Sequence, residues 1–274
     1  MTLPNFVGIG VARGGTTWLH TLLSGHPDVY MPVRRKEIRF FDRNHDQGTQ
    51  WYEAFFCPQA EAARYAAIGE ISPQYLYCEA CPDRISAVLP DAKLLVILRH
   101  PVDRAYSHYG FVVQRRNFRG TFEEFLAERP TMLDKGFYSR YLDRYLARFE
   151  RERMLALVFE RAVRDVDSTR AALSSFLEVP IDRFPSSVEK VNASTVPRFG
   201  SLSSMVVTTG RRLRQTRLEP IVDLGARLGV RGAINKGKVI PRLDTNLRAH
   251  LSEPYQEEFR VLESRLGVDV SCWH

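Results

Sequence analysis

Near the start of this 274-residue chain runs GIGVARGGTTWL, Gly8 to Leu19, and no other stretch restricts the fold as much. An apolar, strand-like run enters a turn holding Gly14 and Gly15, and Thr16 and Thr17 open what reads as a helix. A glycine turn between a strand and a helix directs several backbone N–H groups at one point. The positive end of the helix dipole falls at the same place. Both glycines allow an anion to approach the backbone closely, and the two threonine hydroxyls can donate to its oxygens. The outline is that of a phosphate-binding loop: Gly10, four residues, then Gly15-Thr16-Thr17. A nucleotide triphosphatase would place lysine after the second glycine, whereas this chain has Thr16 there and Arg13 earlier in the loop. Nor is there a clear acidic residue for magnesium: KLLVILR ends in Arg99, and Glu160 at the end of LALVFE is only a weak candidate. The loop suits a ligand whose 5′ end carries one phosphate plus another group, bound without magnesium.

Four short apolar runs read as buried parallel strands: Phe6–Val11, Ala66–Ile71, Leu94–Leu98 and Leu155–Phe159. Helical patterns alternate with them, which predicts an α/β fold with a central parallel sheet flanked by helices. The first helix is expected to start at Thr16 or Thr17. A second begins after Arg99-His100-Pro101, where proline suits the first turn. Two more are expected over Phe137–Glu152 and Glu253–Leu266, the last capped by Ser252 and closed at Gly267. The whole chain, 1–274, reads as one domain, with the core sheet and cofactor loop in 1–180. Residues 181–274 then supply irregular and helical segments on the substrate side and over the cofactor.

Composition narrows the function. At 44% hydrophobic and 26% charged the chain is globular, and no run of 18 apolar residues marks a membrane span. NFVGIGV reads as a strand rather than a signal peptide, so a cytoplasmic enzyme is expected. Cys57, Cys78, Cys81 and Cys272 are too few for a disulfide framework, and Cys78-Glu79-Ala80-Cys81 is a lone CxxC, so reduced structural thiols and no metal are expected. The net charge of +7, nearly all of it arginine, suits a strongly anionic small ligand, a nucleic acid or a membrane surface. The one basic cluster, RRLRQTR at Arg211–Arg217, reads as a solvated helix face, so no nucleic-acid partner is expected. Arginine bias without an anchor fits a bacterial source.

The loop segment ARGGTTWL resembles the 5′-phosphosulfate loop of sulfotransferases that use PAPS (3′-phosphoadenosine 5′-phosphosulfate). LRHPVDRAYSHY, Leu98 to Tyr109, resembles the 3′-phosphate motif of the same family. Two more segments follow in family order. KEIRFFD, Lys36 to Asp42, is similar to the segment of heparan-sulfate-type sulfotransferases that carries a glutamate before paired phenylalanines. NKGKVIP, Asn235 to Pro241, is similar to their cofactor-closing loop. The chain is thereby identified as resembling the PAPS-dependent sulfotransferases, nearest the glycosaminoglycan N- and 3-O-sulfotransferase branch and its bacterial relatives, with a P-loop NTPase-like fold. It departs from the pattern at Arg13 in place of lysine, His100 in place of Asp or Asn, Arg39 in place of His or Gln, and Ile71 in place of lysine.

That resemblance implies a set of roles. Glu37 is the general base for an acceptor hydroxyl or amine, and Arg13 neutralises charge on the leaving oxygen. Gly14, Gly15, Thr16 and Thr17 hold the 5′-phosphate, while Trp18 backs the loop or stacks on adenine. Arg99 and Ser107 bind the 3′-phosphate, Arg104 supports that loop, and Lys236, Gly237 and Lys238 complete the clamp. Tyr138 is a candidate for the substrate side of the cleft. PAPS is the implied donor, PAP (3′-phosphoadenosine 5′-phosphate) the product, and a saccharide, glycolipid or small metabolite the acceptor. Other readings stay open. Glu37 could be a surface partner of Arg35 or Lys36, and His20 or His108 could be a rival base or simply structural. The whole could be a kinase or NTPase using ATP and magnesium, or a non-enzymatic binder of polyanions.

Overall fold

Five short strands pair in parallel in the order β2-β3-β1-β4-β5. They are β1 Phe6–Gly10, β2 Val29–Tyr30, β3 Ala67–Ile71, β4 Lys93–Leu98 and β5 Met154–Val158. This computed structural model describes residues 2–116, 118–186 and 241–274. Lys236, Gly237, Lys238 and the Arg211–Arg217 cluster lie outside the described residues. Strands β1, β3 and β4 run almost wholly apolar because helices cover both sheet faces. The four expected strands match to within a residue or two. Strand β2 was not expected: at two residues it is too short to show periodicity, and it exists by pairing Val29 with Ala67 and Tyr30 with Ile68.

Helices α1 Thr16–Ser24, α2 Phe40–Arg43, α3 Thr49–Glu53, α4 Gln59–Ala62 and α5 Cys81–Val88 precede β4. After it come α6 Pro101–Arg116, α7 Phe122–Glu128, α8 Thr131–Asp134 and α9 Ser139–Leu146. Two more, α10 Phe159–Arg164 and α11 Val166–Leu177, follow β5, and the C-terminus adds Thr245–Ser252 and Gln256–Leu266. Helices α1 and α6 start at the expected Thr16 and Pro101. The helix expected over 137–152 is shorter: it runs Ser139–Leu146, and Glu150 is extended, with ψ 147, ahead of a 3-10 turn. The last helix starts at Gln256, after a 3-10 turn over Glu253–Tyr255. Ser252 makes no cap bond there; its hydroxyl lies 3.2 Å from His100 Nε2. Gly267, with φ 63, ends the helix as expected.

The described residues fall into two compact units. The first comprises 2–104, 134–186 and 251–274 and contains the whole sheet. On one side of it Phe6, Leu19, Leu22, Leu23, Ile71, Leu95 and Ile97 pack with Leu173 and Leu177 of α11. Each such side chain contributes about 1.5–3 kcal/mol through burial. The second unit holds 105–133 and 241–250. There Tyr106, Tyr109, Phe118, Phe122 and Phe125 meet edge to face, and a Thr121–Glu124 capping box starts α7. Helix α6 passes from the first unit into the second, so Arg99 belongs to one and Ser107 to the other.

Because β3 and β4 flank β1 and all three are parallel, the loops leaving them emerge together at the carboxyl end of the sheet. That end is where open α/β sheets carry their ligand crevice.

Candidate functional site

The loop after β1 is built to be bare. A Cβ on Gly14 would lie 2.3 Å from Val11 Cγ2 and 2.7 Å from the Ile97 carbonyl oxygen. Gly15 has φ 100, and its Cβ would lie 2.1 Å from the Phe159 ring. The loop is thus wedged between β4 and the start of α10 and tolerates no side chain at either position. Arg13 adopts φ 70, a left-handed conformation that costs a non-glycine residue strain of about 1–3 kcal/mol. Its carbonyl accepts from Arg99 Nη1 at 3.3 Å. The Arg99 guanidinium in turn lies over the Phe159 ring, 5.2 Å from its centroid. Two arginines from two loops therefore meet at the cradle.

Thr16 is buried, whereas Thr17 is half-exposed on the first turn of α1. Lys36 Nζ donates to Thr17 Oγ1 at 2.7 Å. Burial depresses the Lys36 pKa; the Glu37 carboxylate opposes that shift and Arg13 adds to it. Glu37 is half-buried next to it in the chain. The segment holding Lys36 and Glu37 thus docks on the helix that follows the loop. Beside Lys36 opens a cavity of about 510 Å³, lined by His20, Ser24, Tyr30, Val33 and Tyr65. His20 Nε2 is buried there with no hydrogen-bond partner among the described residues. Burial, and then the Lys36 charge, lower the His20 pKa to about 4, which keeps the imidazole neutral.

Under the same segment sits a charged residue in an otherwise apolar strand. Glu70 of β3 is wholly buried. Its carboxylate accepts from Ser72 Oγ at 2.6 Å, Tyr75 Oη at 2.7 Å and Tyr52 Oη at 3.1 Å. The Ile38 backbone N–H also hydrogen-bonds it. Burial raises its pKa to about 6, against the pull of those donors. Ile71, at the position where the family has lysine, packs in the core against Gly8.

At the end of β4, Tyr138 is fully buried and donates to the Arg99 carbonyl at 2.7 Å. It holds the backbone under Arg99 and presents nothing to a cleft, which corrects the expectation that it lines the substrate side. His100 is buried, and its N–H donates to Glu160 Oε1 at 3.0 Å. The other oxygen of Glu160 accepts from Trp273 Nε1 at 2.9 Å, so both oxygens of that carboxylate are engaged by the fold. Arg104 is 1% exposed among Tyr77, Tyr138 and Tyr255. Trp18 lies in the core with Leu19 and Leu22 behind the loop. Ser107 and His108 lie on the part of α6 that belongs to the second unit.

The structure brings Arg13, Gly14, Gly15, Thr16, Thr17, Lys36, Glu37 and Arg99 to one end of the sheet. Neither Lys36 nor Glu70 was assigned a role from sequence. A glutamate inside the apolar run AIGEI was a readable signal, since an acidic residue is almost never buried without a reason.

Residues 4–208 match the family described as the sulfotransferase domain. Human heparan sulfate glucosamine 3-O-sulfotransferase 3B1 is 33% identical over 184 residues, which cover 64% of this chain and 46% of that protein. Human bifunctional heparan sulfate N-deacetylase/N-sulfotransferase 2 is 29% identical over 297 residues, covering 99% of this chain and 31% of that protein. The chain therefore spans less than half the length of these curated relatives. Among solved structures, a sulfotransferase from Alicyclobacillus acidocaldarius superposes with a TM-score of 0.67 at 25% identity, covering 100% of this chain and 99% of that one. With a parallel sheet, a glycine cradle after its central strand and a family match over three quarters of its length, the chain belongs to the sulfotransferase family.

Proposed function

We propose that this chain transfers a sulfuryl group from PAPS to a hydroxyl or amine of a saccharide or a related small acceptor. The observation that carries the reading is the Lys36–Thr17 bond, which docks the Glu37 segment on the first turn of the glycine-loop helix. The donor fits what the chain presents: a cradle that a Cβ would fill, a helix N-terminus, and the cations Arg13, Lys36 and Arg99. PAPS supplies an activated sulfuryl group whose departure leaves the phosphate of PAP.

The protein's part is placement and charge compensation. The loop amides and Thr17 hold a 5′-phosphate, with Arg13 and Lys36 neutralising the charge that grows on its oxygen. Arginine keeps the charge of the family's lysine and adds a forked contact. Arg99 holds a 3′-phosphate, its backbone fixed by Tyr138 and its guanidinium laid over Phe159. Ser107, Lys236, Gly237 and Lys238 complete that clamp in this reading. Glu37 takes the proton from the acceptor, a step worth about 10²–10⁴-fold in rate. The cavity lined by Tyr30, Tyr65, Val33 and Lys36 is the space assigned to the acceptor. A saccharide acceptor draws support from the heparan sulfate named in the relatives, whose lengths this chain only partly spans.

Titration calorimetry with PAP, and separately with ATP and magnesium, tests the donor. Micromolar PAP binding that weakens at least tenfold in Arg99→Ala supports the reading. Preference for ATP with magnesium would transfer the loop to kinase chemistry.

A further inference from the structure

A carboxylate buried on a central strand is expensive, costing several kcal/mol of lost hydration unless its surroundings compensate. An apolar residue would fill the Glu70 position of β3 without that penalty. What surrounds Glu70 is specific: neutral donors, namely two tyrosine hydroxyls, one serine hydroxyl and one backbone N–H.

The donors converge on the stretch just after Glu37. The Ile38 N–H bonds Glu70 itself. The Arg39 N–H donates to Ser72 Oγ at 3.0 Å, and the Ser72 hydroxyl donates to Glu70 Oε2 at 2.6 Å. The Phe41 N–H points at Tyr75 Oη at 3.4 Å, and that hydroxyl donates to Glu70 Oε1 at 2.7 Å. One carboxylate therefore anchors, directly or through one hydroxyl, the amides of residues 38, 39 and 41. Arg39 between them has φ 59, a conformation that an arginine holds only when its surroundings impose it. From the opposite end of the segment, Lys36 is tied to Thr17. Glu37 lies between the two anchors.

We propose that Glu70 is a positioning residue for sulfuryl transfer: by holding the backbone after Glu37, it fixes where the Glu37 carboxylate stands relative to the glycine loop. The inference rests on Glu37 being the base, and it adds why the strand keeps a buried charge. A carboxylate is the one side chain that can accept four hydrogen bonds without donating any. Glutamine at this place would turn an N–H₂ towards hydroxyls already committed as donors, loosening the anchor while leaving shape and volume almost unchanged.

The experiment compares wild type with Glu70→Gln, Ser72→Ala, Glu37→Gln and the double variant Glu37→Gln/Glu70→Gln. Amide hydrogen exchange is measured over residues 36–42 and over β1 and β4. PAP affinity is measured by calorimetry. Turnover is followed as PAP release from PAPS with N-sulfated heparan saccharide present, which counts transfer to saccharide and to water alike. Glu70→Gln should speed exchange at residues 38 and 39 while β1 and β4 stay protected. It should lower kcat about tenfold or more with PAP affinity within about twofold of wild type. Ser72→Ala, which removes only the Arg39 arm, should show the same pattern at smaller size and serves if Glu70→Gln fails to fold. The double variant should be no slower than Glu37→Gln, because a misplaced base cannot matter once the base is gone. The positioning role is overturned if exchange rises throughout the sheet, if kcat is unchanged, or if the two losses multiply. Wild-type turnover in Glu37→Gln would instead remove the base assignment, and the positioning role with it.

Discussion

Lys36 donates to the Thr17 hydroxyl at 2.7 Å, which joins the first turn of α1 to the segment that presents Glu37. The pair supplies a cation at a glycine loop that has no lysine of its own, from 19 residues further along the chain. Lys36→Met keeps the apolar stem and removes the charge. PAP affinity is expected to fall about tenfold, one charge-assisted hydrogen bond's worth, in calorimetry at fixed ionic strength. Unchanged affinity would confine Lys36 to a structural tie.

Gly15→Ala is expected to damage the loop from two directions. The residue has φ 100, and the new methyl would lie 2.1 Å from the Phe159 ring. The cost should be about 1–3 kcal/mol in denaturant unfolding, together with loss of PAP binding. Phe159→Leu in the same chain should return part of the stability, since it relieves the clash but not the backbone strain. If it returns none, the ring is not the obstacle.

Tyr138→Phe deletes the hydroxyl that donates to the Arg99 carbonyl and leaves that buried acceptor without its partner. A loss of about 1–3 kcal/mol in stability is expected. Wild-type stability in urea unfolding would contradict the contact.

The buried Glu70 should leave a signature in the pH dependence of stability. Its pKa rises from 4.5 unfolded to about 6 folded, so between those values the folded state holds more protons. Stability is therefore favoured below about pH 4.5 and lost as pH rises through 6, by about 2 kcal/mol in all. Glu70→Gln has no such slope. Wild type should gain stability relative to the variant as pH falls from 7 to 4.5. A constant difference between the two would mean an unshifted carboxyl.

His20 works in the opposite sense. Its folded pKa is lowered from 6.5 to about 4 by burial and by Lys36, so the unfolded chain takes up the proton first. Stability should fall as pH drops from 6.5 towards 4. His20→Asn should flatten that part of the profile, leaving the Glu70 slope exposed. The same acid loss in the variant would assign it to other groups.

The strands and the loop could be read along the chain because they are local. Four apolar runs lie in a sheet covered by helices on both faces, so they declare themselves residue by residue. Gly14 and Gly15 show in the sequence what the backbone must do. Strand β2 was hidden because two residues carry no period; only its pairing with Ala67 and Ile68 makes it a strand. Ser252 looked like a helix cap, yet its hydroxyl faces His100, 152 residues away in sequence. Tyr138 was a candidate for the substrate side of a cleft, and it was the fold that set its hydroxyl on the Arg99 carbonyl.

The same division holds at the site. GIGVARGGTTWL by its own composition raises the expectation of an anion at the end of β1, since glycine freedom and a helix N-terminus are properties of a few adjacent residues. What stands around that loop was decided by the packing of the sheet. Parallel pairing of β1 with β3 and β4 brings Arg99 and the Glu70–Ser72 strand end to the loop after β1. Lys36 reaches Thr17 across 19 residues, and Glu70 reaches Ile38 across 32. Hydrogen bonds of that span follow no sequence period, because they depend on where separate elements come to rest.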